Sequence, residues 1–201
     1  MLIMRRNIRR VACATLICAG MLAHPSTARA EVGGQVAADL DLGGTMDARP
    51  FAIGADGRFG WRFDLGPVWL QPEALGGYTA FLGEVCQACV VVHQRAVRVL
   101  GGLRLGGSGL VSGVVEPAVF AHGGYGWAWT GVGFPTDPLR GPAFDVGAAF
   151  DVKVVRWFRF GAHGAYNAVL ANRGDRTTYQ GGEGFPAVKW ISFGLHAGLA
   201  F

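Results

Sequence analysis

The sequence predicts an all-β chain: an eight-stranded antiparallel up-and-down transmembrane β-barrel with short turns at one end and four longer loops at the other. Three observations predict it. Eight stretches alternate bulky apolar residues with small or charged ones, the period of an extended strand. The connections between them are alternately short and long, as in barrels that cross an outer membrane. The charged face of each stretch is otherwise glycine and alanine, and the opposite face is greasy, which is the polarity of a cylinder surrounded by lipid.

The first segment, about 32–42, sets Val32, Val36, Leu40 and Leu42 on one face and Gln35, Ala37, Asp39 and Asp41 on the other. The second, about 57–65, opposes Phe59, Trp61, Phe63 and Leu65 to Arg58, Gly60, Arg62 and Asp64. In the third, about 68–81, Val68, Leu70, Pro72 and Ala74 oppose Trp69, Gln71, Glu73 and Leu75, and Pro72 has no N–H for a ladder. The fourth, about 95–105, sets Val97, Val99, Leu103 and Leu105 against Arg98, Leu100, Gly102 and Arg104. The fifth, about 110–122, sets Val115, Pro117, Val119 and Ala121 against Glu116, Ala118 and His122. The sixth, about 143–152, sets Phe144, Val146, Phe150 and Val152 against Asp145, Gly147, Ala149 and Asp151. The seventh, about 158–170, sets Phe158, Phe160 and Tyr166 against Arg159, Gly161, His163 and Asn167. The eighth, about 187–201, sets Ile191, Phe193, Leu195, Leu199 and Phe201 against Ser192, Gly194, His196 and Gly198. A tilted strand needs about 9–11 residues to cross hydrocarbon, which the segments supply, the second being the shortest.

Gly66-Pro67 joins segments two and three, Gly106-Gly107-Ser108-Gly109 joins four and five, and a turn near Lys153 to Trp157 joins six and seven. The other connections, about 43–56, 82–94, 123–142 and 171–186, are long. Short and long strictly alternate on this reading. An even strand count returns both ends of the chain to the same side. Aromatics near the segment ends fit interfacial girdles, with Trp69, Trp157 and Phe201 at one rim and Tyr78, Phe81, Trp127 and Trp129 at the other.

Residues 1–30 read as a cleaved signal peptide, leaving a barrel domain over 31–201. Arg5, Arg6, Arg9 and Arg10 form a cationic start, Val11 to Ala23 is a short apolar run, and Ala28-Arg29-Ala30 fits a small-x-small cleavage site. The whole chain carries 18 Lys+Arg and 14 Asp+Glu. Five of the arginines and none of the acids fall within 1–30, so the remainder has a net charge of −1 and no basic footprint for nucleic acid. Glycine is frequent, at 33 residues, but a hydrophobic share of 51% against 16% charged opposes disorder. No stretch after residue 30 reads as a membrane-spanning helix, so strands must carry any membrane residence.

The charged face collects Asp39, Asp41, Asp64, Glu73, Glu116, Asp145 and Asp151, with Arg62, Arg98, Arg104 and Arg159 to offset them and His122, His163 and His196 as further partners. An eight-strand interior is normally filled by side chains, so a salt-bridged lumenal plug is expected, with an ion or solute path as the alternative. Catalysis has little support. Ser192 and His196 share a face but stand roughly 13 Å apart along one strand, too far for a nucleophile and its base. Asp39 and Asp41, about 7 Å apart, suit pairing with arginine better than acid–base work. No motif for a metal or cofactor emerges.

Together these features resemble the small eight-stranded outer-membrane barrels, the superfamily of the OmpA-like transmembrane domain. The resemblance spans about residues 31–201. It includes Pro72-Glu73 followed by Gly77-Tyr78, and above all the terminal Phe201. It implies a bacterial outer-membrane location, outer-membrane lipid as surroundings, and Phe201 as a signal read by the barrel-assembly machinery. The cell-wall anchoring of longer relatives is not implied.

Two loop motifs stand apart. Cys86-Gln-Ala-Cys89 in the second long loop is an even pair in an exported chain, for which a disulfide is the expectation. Haem attachment would need histidine where Val90 stands, and zinc would need a fourth ligand. Arg173-Gly174-Asp175 in the fourth long loop is a tripeptide known from integrin-binding ligands, and a solvated loop tip is the alternative. The expected function is non-enzymatic: membrane integrity or loop-mediated surface interaction, with the extracellular ligand unnamed. A small pore comes second and a lipid-modifying enzyme third.

Overall fold

A computed structural model describes residues 32–46, 51–82, 93–109, 113–130, 138–170 and 187–201. Eight strands follow in order: β1 (Val32–Thr45), β2 (Phe51–Asp64), β3 (Val68–Leu82), β4 (His93–Gly107), β5 (Val115–Thr130), β6 (Leu139–Val155), β7 (Phe158–Leu170) and β8 (Ala187–Ala200). Each pairs antiparallel with its neighbour in sequence, and β8 pairs with β1 to close the barrel. Closure satisfies the backbone groups that two free edges would leave bare. Phe201 completes it. Its N–H donates to Gly34 O at 3.0 Å, and Gly34 N–H donates to Phe201 O at 2.9 Å. Gly34 also makes room for the Phe201 ring, since a Cβ there would stand 2.5 Å from Phe201 Cε2.

The register fixes the tilt. One row of lateral partners runs Gln35, Gly60, Glu73, Gly102, His122, Asp145, Asn167, Trp190 and back to β1 at Thr45. A circuit therefore advances ten residues along β1, which for eight strands goes with a tilt of about 35–45°. All the side chains in this row point inward, so residues far apart in sequence form one lumenal belt.

All eight expected segments are strands, but some bounds move. β2 starts at Phe51 rather than 57, because Phe51 and Ile53 alternate with Ala52 and Gly54 ahead of the charged stretch. β5 starts at Val115 and continues to Thr130, taking in a Gly-Tyr-Gly-Trp-Ala-Trp run that had read as loop. β6 starts at Leu139. Two of the expected long connections thus shrink to 46–50 and 131–138, and the short connection 108–114 is longer than 46–50. Along the chain each expected long connection is still longer than the short ones beside it, so the alternation persists with a smaller contrast. The tightest hairpins are Gly66-Pro67, which spans with Leu65 N–H donating to Val68 O at 2.8 Å, and 156–157. Gly66 has φ 87° and Pro67 is confined to negative φ, the sequence of signs of a type II′ turn. The β2–β3 pairing skips Trp61 and Arg62, opposite Pro72 and Gln71, where proline has no hydrogen to donate.

Burial alternates residue by residue along β2 and β3. Large apolar side chains are outside, with Leu40 71% and Phe193 68% exposed, while Glu116 is fully buried. A water-soluble barrel would reverse this order. The lumen is not lined by small and charged residues alone. At the long-loop end Trp190, Phe81, Val169, Val188, Leu75 and Leu100 form an apolar cluster. Trp69 and Phe81, expected at the rims, lie inside. Their parity with Gln71 and Thr79 decides their face, and nearness to a strand end does not. Trp69 lies against Gly106, where a Cβ would collide with the indole.

A candidate functional site in the lumenal charge network

The inward charges form two groups, one around Glu116 nearest the short turns and a larger one that runs from mid-barrel to the apolar cluster. Nearest the short turns, Glu116 collects three cations. Arg62 donates to it from Nη1 and Nη2 at 2.7 and 3.0 Å, Arg159 Nη1 donates at 3.2 Å, and Lys153 Nζ lies 2.8 Å from Oε1. Arg62 Nε also donates to Asp64 at 2.8 Å, and its guanidinium stacks 4.4 Å from the Trp69 ring centre. Such forks suit arginine because its donors are planar and fixed.

Midway, Arg58 grips Asp39 with Nε and Nη2 at 2.7 and 2.8 Å, and Arg104 Nη2 donates to Asp151 at 2.7 Å. His122 sits between two carboxylates, Nδ1 2.5 Å from Asp145 Oδ1 and Nε2 2.8 Å from Glu73 Oε1. Neutral imidazole has one N–H, so this pair of contacts holds one additional proton, on the ring or on a carboxyl. Gln71 Nε2 donates to the other oxygen of Glu73 at 2.9 Å. Beneath the apolar cluster Arg98 donates to Asp56 at 3.0 Å and to Asn167, and its guanidinium lies 4.9 Å from the Trp190 ring centre.

On the β1–β8–β7 side, two parallel rows interleave histidine and glycine. In one, His163, Gly194 and Asp41 are lateral partners; in the next, Asp151, Gly161, His196 and Asp39. Each histidine thus faces a bare glycine on its neighbour strand. A Cβ on Gly194 would run into Asp41 and His163, and one on Gly161 into His196. The imidazoles extend across the glycines: His163 Nε2 lies 2.8 Å from Asp41 Oδ1, and His196 Nε2 2.5 Å from Asp151 Oδ1.

Asp39, Asp41, Arg62, Asp64, Glu73, Arg98, Arg104, Glu116, Asp145, Asp151, Arg159, His163 and His196 all fall on lumenal positions and all take part in these contacts. The sequence reading missed Asp56, because its second segment began at 57. It placed Arg58 on the inward face without counting it in the network, and it left Lys153 in a turn. Ser192 accepts a hydrogen bond from Asn167 Nδ2 at 3.1 Å, while His196 faces Asp151. Cys86, Cys89, Arg173, Gly174 and Asp175 lie outside the described residues.

No protein-family model and no curated protein matches the chain. Solved structures do. Ail, the attachment invasion locus protein of Yersinia pestis, superposes with a TM-score of 0.50 at 11% identity, over 87% of this chain and 100% of that one. Neisserial surface protein A gives 0.49 at 12% identity over 87% and 100%. The N-terminal β-barrel domain of OprF from Pseudomonas aeruginosa gives 0.44 at 14% identity over 85% and 100%. At such identities the likeness is one of architecture. The closed up-and-down sheet, the greasy exterior and the Yersinia barrel's superposition agree: this chain has the fold of the small eight-stranded outer-membrane β-barrels.

Proposed function

We propose that the protein is a non-enzymatic, non-conducting scaffold of the bacterial outer membrane that presents its long loops for surface interaction. Residues 1–30 serve as its export signal, the connections 65–67, 108–114 and 156–157 face the periplasm, and 46–50, 83–92, 131–138 and 171–186 face outward. One observation carries the reading: the barrel's ionic side chains are sealed inside and its apolar ones turned out. Leu40, Phe193, Leu195 and Val119 would lie against lipid, where hydrocarbon rewards them and no backbone edge is left bare.

The same burial supports a closed lumen. Arg98, Glu116, Trp190 and His196 are each no more than 2% exposed, whereas a water-filled path would wet its lining. A rigid filled cylinder leaves its loops as the part free to recognise something, because loops on rigid scaffolds tend to carry function. Partners on this reading are outer-membrane lipid, the assembly machinery that reads Phe201, and a ligand for the loops. Membrane fractionation with unheated and boiled gel mobility tests location and closure, and single-channel recording tests conductance. Recovery in the soluble fraction, or steady conductance of the folded protein, would sink the reading. For the loops, deletion of 171–186 is expected to abolish binding to host or neighbour surfaces while leaving the gel shift intact.

A further inference from the structure

In the two interleaved rows, Asp39 Oδ1, His163 Nδ1 and His196 Nδ1 face one another. The two nitrogens are 3.4 Å apart, and they lie 3.9 and 3.8 Å from the carboxylate oxygen. A point equidistant from three such atoms is about 2.1 Å from each, the bond length zinc takes with imidazole nitrogen and carboxylate oxygen. No displacement of strands is required to reach it.

The outer side of each ring faces a carboxylate, hydrogen-bonded in the case of His196 and Asp151, and in close approach without a hydrogen bond in the case of His163 and Asp41. His163 Nε2 faces Asp41 and His196 Nε2 faces Asp151, at 2.8 and 2.5 Å. An imidazole whose proton serves the carboxylate at Nε2 turns a bare lone pair inward at Nδ1. The two Nδ1 atoms, hydrogen-bonded to each other, and Asp39 Oδ1, which also accepts from Arg58 Nη2 at 2.8 Å, converge on one spot where a cation would replace the proton that the two rings share. Carboxylates behind ligating histidines are the usual outer partners of a metal site, fixing tautomer and ring orientation. Gly161 and Gly194 provide the passage that lets each ring reach its carboxylate over the neighbouring strand.

We propose that Asp39, His163 and His196 bind a divalent transition-metal ion of the zinc class, with Asp41 and Asp151 as the outer carboxylates. Two imidazoles and one carboxylate suit zinc and its neighbours in the first transition row and are a poor set for calcium or magnesium. A fourth position falls to water. A cavity of about 20 Å³, bordered by Asp39, Asp41, His163 and His122, adjoins two of the three ligands, Asp39 and His163, and is large enough for one. The ligands are deep in a filled lumen, so the ion is taken up while the barrel forms, and it pins β1, β7 and β8 together across the closing seam.

The test uses protein expressed from the full sequence, purified in detergent, unfolded in urea and refolded with zinc sulfate. After removal of free metal, elemental analysis is expected to find about one zinc per folded chain. Folded His163→Asn and His196→Asn are each expected to retain under about a tenth of that, and folded His93→Asn, at the start of β4, to keep it. Folding is read from unheated gel mobility. Should the substituted chains fail to fold, cobalt(II) refolded into the unaltered barrel is decisive: intense visible bands of a four- or five-coordinate nitrogen-ligated ion support the site, and the weak spectrum of the hydrated ion overturns it. Folded barrel that holds no zinc, or a folded His163→Asn that holds as much as the unaltered chain, also overturns it.

Discussion

His196 reaches Asp151 over the bare backbone of Gly161, with Nε2 and Oδ1 2.5 Å apart. The contact exists because Gly161 has no side chain. A Cβ there would meet His196 Nε2 and Phe150 O at once. Gly161→Ala is therefore expected to cost about 1–3 kcal/mol, the range for overpacking a filled interior. Gly57→Ala, with nothing within 4 Å of the added carbon, is expected to change stability by less than about 0.5 kcal/mol. Urea titration of folding into lipid vesicles measures both.

Glu116 offers a sharper contrast. It compensates Arg62, Arg159 and Lys153. Glu116→Gln leaves three cations facing a neutral amide, and a loss of about 3–5 kcal/mol is expected in the same titration. Asp64 meets only one end of Arg62 and its side chain is 29% exposed. Asp64→Asn is expected to cost no more than about 1 kcal/mol, because solvent screens that pair.

The outer belt predicts a depth dependence. Leu40 pairs laterally with Leu195, near the middle of β1, and Val155 ends β6 beside a short turn. Leu40→Arg is expected to destabilise the barrel in vesicles by about 2–4 kcal/mol and Val155→Arg by about 0–1 kcal/mol. Equal costs would mean the belt does not sit in hydrocarbon.

The apolar cluster at the long-loop end predicts coupling. Phe81 and Trp190 meet edge to face with ring centres 5.5 Å apart. Trp190→Ala is expected to cost about 3–5 kcal/mol. Combined with Phe81→Ala, the loss is expected to fall short of the sum of the single losses by about 0.5–3 kcal/mol, since each ring is the other's neighbour.

The strands were legible because lipid outside and ions inside impose the sharpest period-two contrast a chain can carry. Leu40 beside Asp39 and Asp41, or Phe144 and Val146 flanking Asp145, leave no doubt about which way each points. Legibility failed where the lumenal side was glycine or alanine, as before Asp56 and around Gly124 and Gly126, because small residues resemble loop. It failed again at Trp69 and Phe81, where girdle chemistry was preferred over parity. The site was legible only as a collection of charges. That His163 and His196 are diagonal neighbours, each opposite a glycine, is a property of register, and register between β7, β8 and β1 is fixed by partners that no single segment contains.

The seam between β8 and β1 has a consequence for biogenesis. Asp39 and Asp41 ride on the strand made first, and the two histidines that approach them ride on the strands made last. Until the ribbon's ends join, an unfinished sheet would lack the imidazoles that approach Asp41 and Asp39, with Arg58 of β2 holding Asp39 meanwhile. Such a sheet has little reason to enter the bilayer piecemeal, and the chain's final residue, bonded to Gly34, is the clasp that makes entry tolerable.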